Sequence, residues 1–256
     1  MDSLIRGRAR TWIVAGAVAL GLAVLIGVLT ALSSDEAASC RRALIPTYVT
    51  PDVIDALPAV HAAERTIIVN PASGPGPAAQ PAYASAVARA QAAGTRVLGY
   101  VPTGYGARDA ALVREEIDRY RSWYRVDGIF LDETSASPED VPHYRALSDH
   151  VRGFTVLNPG LVPAREYFSI ADVVVTYEGS AADYAAAVRK APGWLEEVPR
   201  ERIAHLLYGA ARGPALEAVG LGARAGFLYV TDGSLPHPWG SIPGYLGEQE
   251  SALCGD

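Results

Sequence analysis

Gly128-Ile129-Phe130-Leu131-Asp132-Glu133 is the stretch that decides the fold. A short apolar run ends abruptly in two adjacent acids. Such a run suits a buried strand and is too short for a helix. Its C-terminal end therefore carries paired carboxylates, and parallel α/β barrels place their chemistry at the C-terminal ends of strands. The competing reading is a helix start, because Asp132, Glu133, Thr134 and Ser135 all suit an N-cap.

Working outward, similar runs recur at 44–49, 66–70, 97–101, 154–158, 173–177, 203–207 and 227–230. With 128–132 they predict eight strands. Helical periodicity fills the gaps at 52–63, 80–93, 109–124, 138–151, 181–191, 211–221 and near 242–253, with a short turn near 164–168. Eight alternating strand–helix units predict an α/β fold, a parallel (β/α)8 TIM barrel over residues 40–256. An open doubly wound sheet is the alternative, but no dinucleotide fingerprint accompanies it. The loop Asn70-Pro71-Ala72-Ser73-Gly74-Pro75-Gly76-Pro77 lacks the Gly-Lys-Ser/Thr end of a phosphate loop, which argues against nucleotide binding.

The chain starts differently. Arg6, Arg8 and Arg10 lie in a basic tail at 1–11, ahead of a charge-free apolar run at 12–32. That run meets the ~20 residues needed to span a ~30 Å hydrocarbon core. It is longer than a signal-peptide core, and the arginines orient the tail to the cytoplasm. The expectation is one N-terminal transmembrane helix, an uncleaved signal anchor, with a polar spacer at 33–39 and the barrel outside the cell. Cleavage and secretion is the alternative. Cys40 and Cys254 are the two cysteines and bracket the predicted barrel, so in an oxidising compartment they predict a disulfide between its ends. Net charge is −6, and residues 1–32 hold three arginines against Asp2, so the barrel is more acidic still. Nucleic acid is thereby an unfavoured partner.

The strand ends predict a rim of acids, amides and aromatic rings: Tyr48, Asn70, Tyr100, Tyr105, Asp132, Glu133, Asn158, Tyr177, Glu178, His205, Tyr208 and Trp239. Ring faces cover the apolar faces of sugars, while carboxylates and amides bond hydroxyls. Asp132 and Glu178 come from strands four and six, and glycoside hydrolysis commonly uses two such carboxylates. Each candidate has a plainer reading. Glu178 could be a solvated loop acid, His205 a satisfied core histidine, and the tyrosines packing groups. No His/Cys/Asp spacing fits a metal and no Gly-x-Ser-x-Gly elbow is present, so no metal and no cofactor is expected.

Ile45-Pro46-Thr47-Tyr48, Asn70-Pro71 with Ser73-Gly74-Pro75-Gly76, Gly99-Tyr100-Val101 with Thr103 and Tyr105-Gly106, Trp123, the stretch 128–133, Asn158-Pro159-Gly160 and Tyr177-Glu178 together resemble the spherulin-4 family. That family includes the fungal Sph3-type hydrolases of glycoside hydrolase family 135. The match runs in order over most of the barrel and loosens after Glu178. The resemblance implies a (β/α)8 barrel with endo-α-1,4-N-acetylgalactosaminidase activity on a galactosamine-containing exopolysaccharide. It also implies that the essential acids fall on Asp132, Glu133 and Glu178.

The reading is an extracytoplasmic, membrane-anchored, monomeric glycoside hydrolase that cuts within a polysaccharide. Asp132 is expected as nucleophile, Glu178 as general acid/base and Glu133 as a supporting carboxylate. Substrate contacts are expected from Tyr48, Asn70, Tyr100, Tyr105, Asn158, Tyr177, His205 and Trp239. A retaining enzyme would hold its two carboxyl groups ~5–5.5 Å apart. The rival from another class is a surface protein that binds polysaccharide without cleaving it.

Overall fold

Eight short apolar runs form parallel strands: β1 (Arg42–Thr47), β2 (Arg65–Val69), β3 (Arg96–Pro102), β4 (Gly128–Asp132), β5 (Phe154–Leu157), β6 (Val173–Ser180), β7 (Ile203–Tyr208) and β8 (Phe227–Val230). They pair in chain order and close from β8 back to β1, the arrangement expected from the strand count. Side chains of such strands meet the barrel interior on one face and helices on the other, which is why these runs are apolar at nearly every position. The computed structural model describes residues 40–255. The expected tail, membrane span and spacer at 1–39 lie outside the described residues. Among the described residues no helix is long and apolar enough to cross a membrane.

The helices are α1 (Pro51–Asp55), α2 (Pro81–Ala92), α3 (Ala110–Trp123), α4 (Val141–Val151), α5 (Ala181–Lys190), α6 (Arg212–Leu221) and α7 (Leu246–Cys254). Three expectations need correction. The helix expected over 52–63 stops after Asp55, and a 3-10 turn at Ala62–Glu64 follows. Pro58 cannot continue a helix, and His61 is left-handed (φ 58°). The last helix begins at Leu246, not near 242. Strand six runs on to Ser180, with a register shift between Val175 and Tyr177.

Two glycines allow close approach around β4. A Cβ on Gly128 would lie 1.9 Å from the Phe154 carbonyl oxygen, and one on Gly99 would lie 2.4 Å from the Tyr120 ring. Glycine thus lets β5 seat directly against β4, which carries Asp132, and α3 against β3, which carries Tyr100.

Closure is reinforced at one seam. β1 and β8 share only the pairs Arg42–Phe227 and Ala43–Leu228. The Gln249 side chain, from α7, takes up both backbone groups of Val230, each at 2.9 Å. Arg65 on β2 makes a buried two-pronged pair with Glu250, both bonds 2.6 Å. Cys40 and Cys254 are disulfide-bonded, with Cα atoms 4.2 Å apart, as their bracketing positions predicted.

Candidate active site

The inner face of the closed barrel is what brings the acids together. Phe130 and Asp132 are two residues apart on β4 and share a face. The register sets Tyr100 beside Phe130 and Pro102 beside Asp132. Tyr100 stacks on Phe130 (centroids 6.5 Å apart), and its hydroxyl donates to the Asp132 carboxylate. Asn158 lies just past β5 and is 5% exposed. Its amide nitrogen donates to Asp132 Oδ1 at 2.7 Å and to Glu178 Oε2 at 2.5 Å. The Trp239 indole N–H donates to Glu178 from the other side. Four strands thus converge on one pair of carboxylates.

Electrostatics separates the pair. Burial raises Glu178 to about 7, and the neighbouring Asp132 charge adds to the rise. Burial also raises Asp132, but the backbone N–H of Glu133, the Tyr100 hydroxyl and the Asn158 amide oppose it by bonding the charged form. The arrangement holds one carboxyl protonated near neutral pH beside another that three donors favour as the anion.

Glu133 occupies a left-handed conformation (φ 51°), and so does Tyr105 opposite it (φ 56°). The two loops are tied by the Tyr105 amide, which donates to the Glu133 carbonyl at 2.5 Å. Tyr105 is 67% exposed, and its hydroxyl feels the charges of Glu133, Asp132 and Glu178. Tyr48 packs edge-on against Tyr100, centroids 5.3 Å apart, close enough to Asp132 for that charge to raise its hydroxyl beyond the effect of burial. Among the described residues no group of His, Cys, Asp or Glu could hold a metal ion.

The family model described as "Spherulation-specific family 4", Spherulin4, matches residues 42–253, the whole barrel. The chain belongs to the spherulin-4 family. Spherulin-4 of Physarum polycephalum is 32% identical over 248 residues, 88% of this chain and 72% of that protein. Among solved structures, Aspergillus clavatus Sph3 in complex with GalNAc superposes with a TM-score of 0.71 at 24% identity, covering 85% of this chain and 98% of that one. An endo-β-N-acetylglucosaminidase from Cordyceps militaris shares the barrel with a TM-score of 0.53 at 8% identity, over 86% and 92% of the two chains.

Within this spherulin-4 barrel the expected site residues divide. Asp132, Glu133, Glu178, Tyr48, Tyr100, Tyr105, Asn158 and Trp239 gather at the mouth. Asn70 sits on the same rim, and its Oδ1 accepts from the Gly74 amide at 2.8 Å, bracing the loop after β2. Tyr177 and His205 do not join them. His205 is bonded to the Tyr184 hydroxyl (2.6 Å) and to Thr176 Oγ1 (2.9 Å), between the barrel wall and α5. It lines a cavity of about 310 Å³ together with Tyr177 and Val188. Tyr177 packs on Tyr184, centroids 5.1 Å apart, and donates to the Ser180 carbonyl. Adjacent strand residues face opposite ways, so with Glu178 inside, Tyr177 lies outside. Tyr208, read at the rim beside His205, does join the mouth, where its ring meets Trp239 edge-on at 6.3 Å. Three positions from His205, it takes the opposite face.

Proposed function

We propose that this protein is an extracytoplasmic, endo-acting glycoside hydrolase that cleaves α-1,4 linkages in a polymer containing galactosamine or N-acetylgalactosamine. The observation that carries this reading is the single Asn158 amide bonded to both Asp132 and Glu178. The two bonded oxygens are thereby no more than 5.2 Å apart, the sum of the two bonds, which favours the ~5–5.5 Å carboxyl spacing of retaining glycosidases over the ~6.5–9.5 Å of inverting ones. Glu178, protonated near neutral pH, donates its proton to the leaving glycosidic oxygen. Asp132 attacks the anomeric carbon and forms a glycosyl-enzyme ester. Glu178, now the carboxylate, takes a proton from water, which hydrolyses that ester and regenerates both groups. Glu133 supports with its charge, and Tyr48, Tyr100, Tyr105, Asn70 and Trp239 contact sugar. The sugar class comes from the family resemblance, and the GalNAc bound to the Sph3 neighbour agrees with it. The disulfide supports an oxidising, extracytoplasmic location, and the apolar run at 12–32 supplies the anchor in this reading.

The full chain is incubated with amino-sugar polymers and the products are sized. Oligosaccharides of intermediate length, with retained anomeric configuration by NMR, are expected. Asp132→Asn is expected to lose turnover by at least ~10³-fold while staying folded, because no nucleophile remains. Binding without cleavage by wild type would instead identify a polysaccharide-binding surface protein.

A further inference from the structure

Two residues that hold the catalytic turn stand outside the mouth. Thr103, fully buried just after β3, donates its hydroxyl to the Asp132 and Glu133 carbonyls (2.9 and 2.7 Å). Its own oxygen meets the Tyr144 hydroxyl of α4 at 3.1 Å. The same Tyr144 hydroxyl accepts from the Ser135 amide at 2.8 Å. One consistent set of donors follows. The Ser135 N–H donates to Tyr144, Tyr144 donates to Thr103, and Thr103 donates to the two carbonyls. The backbone adds the Thr103 amide on the Asp132 carbonyl at 2.9 Å. This relay spans both ends of the turn whose middle residue, Glu133, is left-handed. A non-glycine residue held there carries on the order of 1–3 kcal/mol of strain, which persists only where surroundings over-determine it.

We infer that Tyr144, acting through Thr103, is a positioning residue for glycoside cleavage: it holds the 132–135 turn that aims Asp132 and Glu133 into the mouth. The inference rests on the hydrolase reading for its chemical consequence. Tyr144 is buried, its ring packs on His143 and Tyr167, and its hydroxyl bonds Thr103 and Ser135, so it acts through the turn. Its effect reaches the nucleophile because the Glu133 N–H, whose direction the turn fixes, is a donor to the Asp132 carboxylate. Losing that donor weakens the charged form of Asp132. The titratable groups facing Asp132 are Tyr48, Tyr100, Tyr105, Glu133 and Glu178. None of them is altered by the substitution, so a shift in the acid limb reports the turn.

The test uses Tyr144→Phe in the full chain, on a partly acetylated α-1,4-galactosamine polymer. A drop in kcat of ~10- to 100-fold is expected, because sub-ångström misplacement of reacting groups has that size of effect. KM should stay within about twofold, and the acid limb of kcat/KM should move to higher pH. Thr103→Ser should keep near-wild-type kcat and Thr103→Val should not, which separates the hydroxyl from packing and serves if Tyr144→Phe folds poorly. Amide hydrogen exchange at Tyr105 and Ser135 should quicken in Tyr144→Phe and stay unchanged at Val230. An unchanged kcat and acid limb in Tyr144→Phe and Thr103→Val overturns the inference. A wild-type chain that cleaves no amino-sugar polymer overturns the hydrolase reading and the catalytic consequence, while unchanged exchange overturns the turn-holding role by itself.

Discussion

Glu178 and Asp132 share one amide donor yet are pushed toward different protonation states. Glu178 must carry its proton to act first, so kcat is expected to fall as pH rises through about 7. Trp239→Phe removes a donor that favours the charged form of Glu178, so its pKa rises and the basic limb moves to higher pH. A pH–rate profile of both proteins checks this; a basic limb that stays put would remove Trp239 from the account. The same shift links to stability. A carboxyl whose folded pKa exceeds its unfolded value of about 4.5 stabilises the fold fully below that value and loses the contribution as pH rises through about 7. Glu178→Gln cannot ionise, so its melting temperature should change less than wild type between pH 5 and pH 8 and exceed it at pH 8. At this scale most of the mouth was legible. The acids, Asn158, Trp239 and three tyrosines end strands or follow them in the sequence. The hydrogen bonds of Thr103 and Tyr144 were not legible, because they join loops and a helix distant in the chain.

Among the elements, all eight strands and most helices could be read from apolar spacing, and the errors have physical causes. β7 is buried on both faces, so its composition does not reveal which residues point inward, and His205 could not be assigned a face. The irregularity between Val175 and Tyr177 in β6 is likewise silent in the sequence. In place of a ligand contact, His205 is a neutral core group that burial lowers to about 4. Its contribution to stability is present above about 6.5 and is lost as pH falls through about 4. β4 depends on its first residue. Gly128→Ala would drive a methyl against the Phe154 backbone, which cannot swing aside as a side chain can. A loss of about 1–3 kcal/mol or more is expected in urea denaturation, with kcat falling as β4 shifts. A variant as stable as wild type would show that β5 has room to retreat.

For the whole molecule, the β1–β8 seam is where the chain closes on itself, with two register pairs, as few as β5–β6 has. The Cys40–Cys254 bridge closes a loop with a sequence separation of 214, so loop-closure entropy puts its contribution at about 5 kcal/mol, less where the reduced chain retains structure. Replacing both cysteines by serine should lower the melting temperature while the two acids and Asn158, carried by β4 to β6, keep their activity at moderate temperature. Activity lost in step with the bridge would show that closure and catalysis are coupled. Glu250→Ala should act on the same seam by leaving Arg65 buried and unpaired, with a loss of about 3–5 kcal/mol by chemical denaturation. The bridge also has a topological meaning. It makes the barrel a ring in the covalent sense, with two chain positions 4.2 Å apart at Cα that a short peptide linker could join as well as sulfur does. New termini could then be cut elsewhere, for instance in the exposed Ala93-Gly94 turn between α2 and β3. The rewired chain would pass through the same strands in a rotated order, and the order of synthesis would separate from the order of the strands around the barrel.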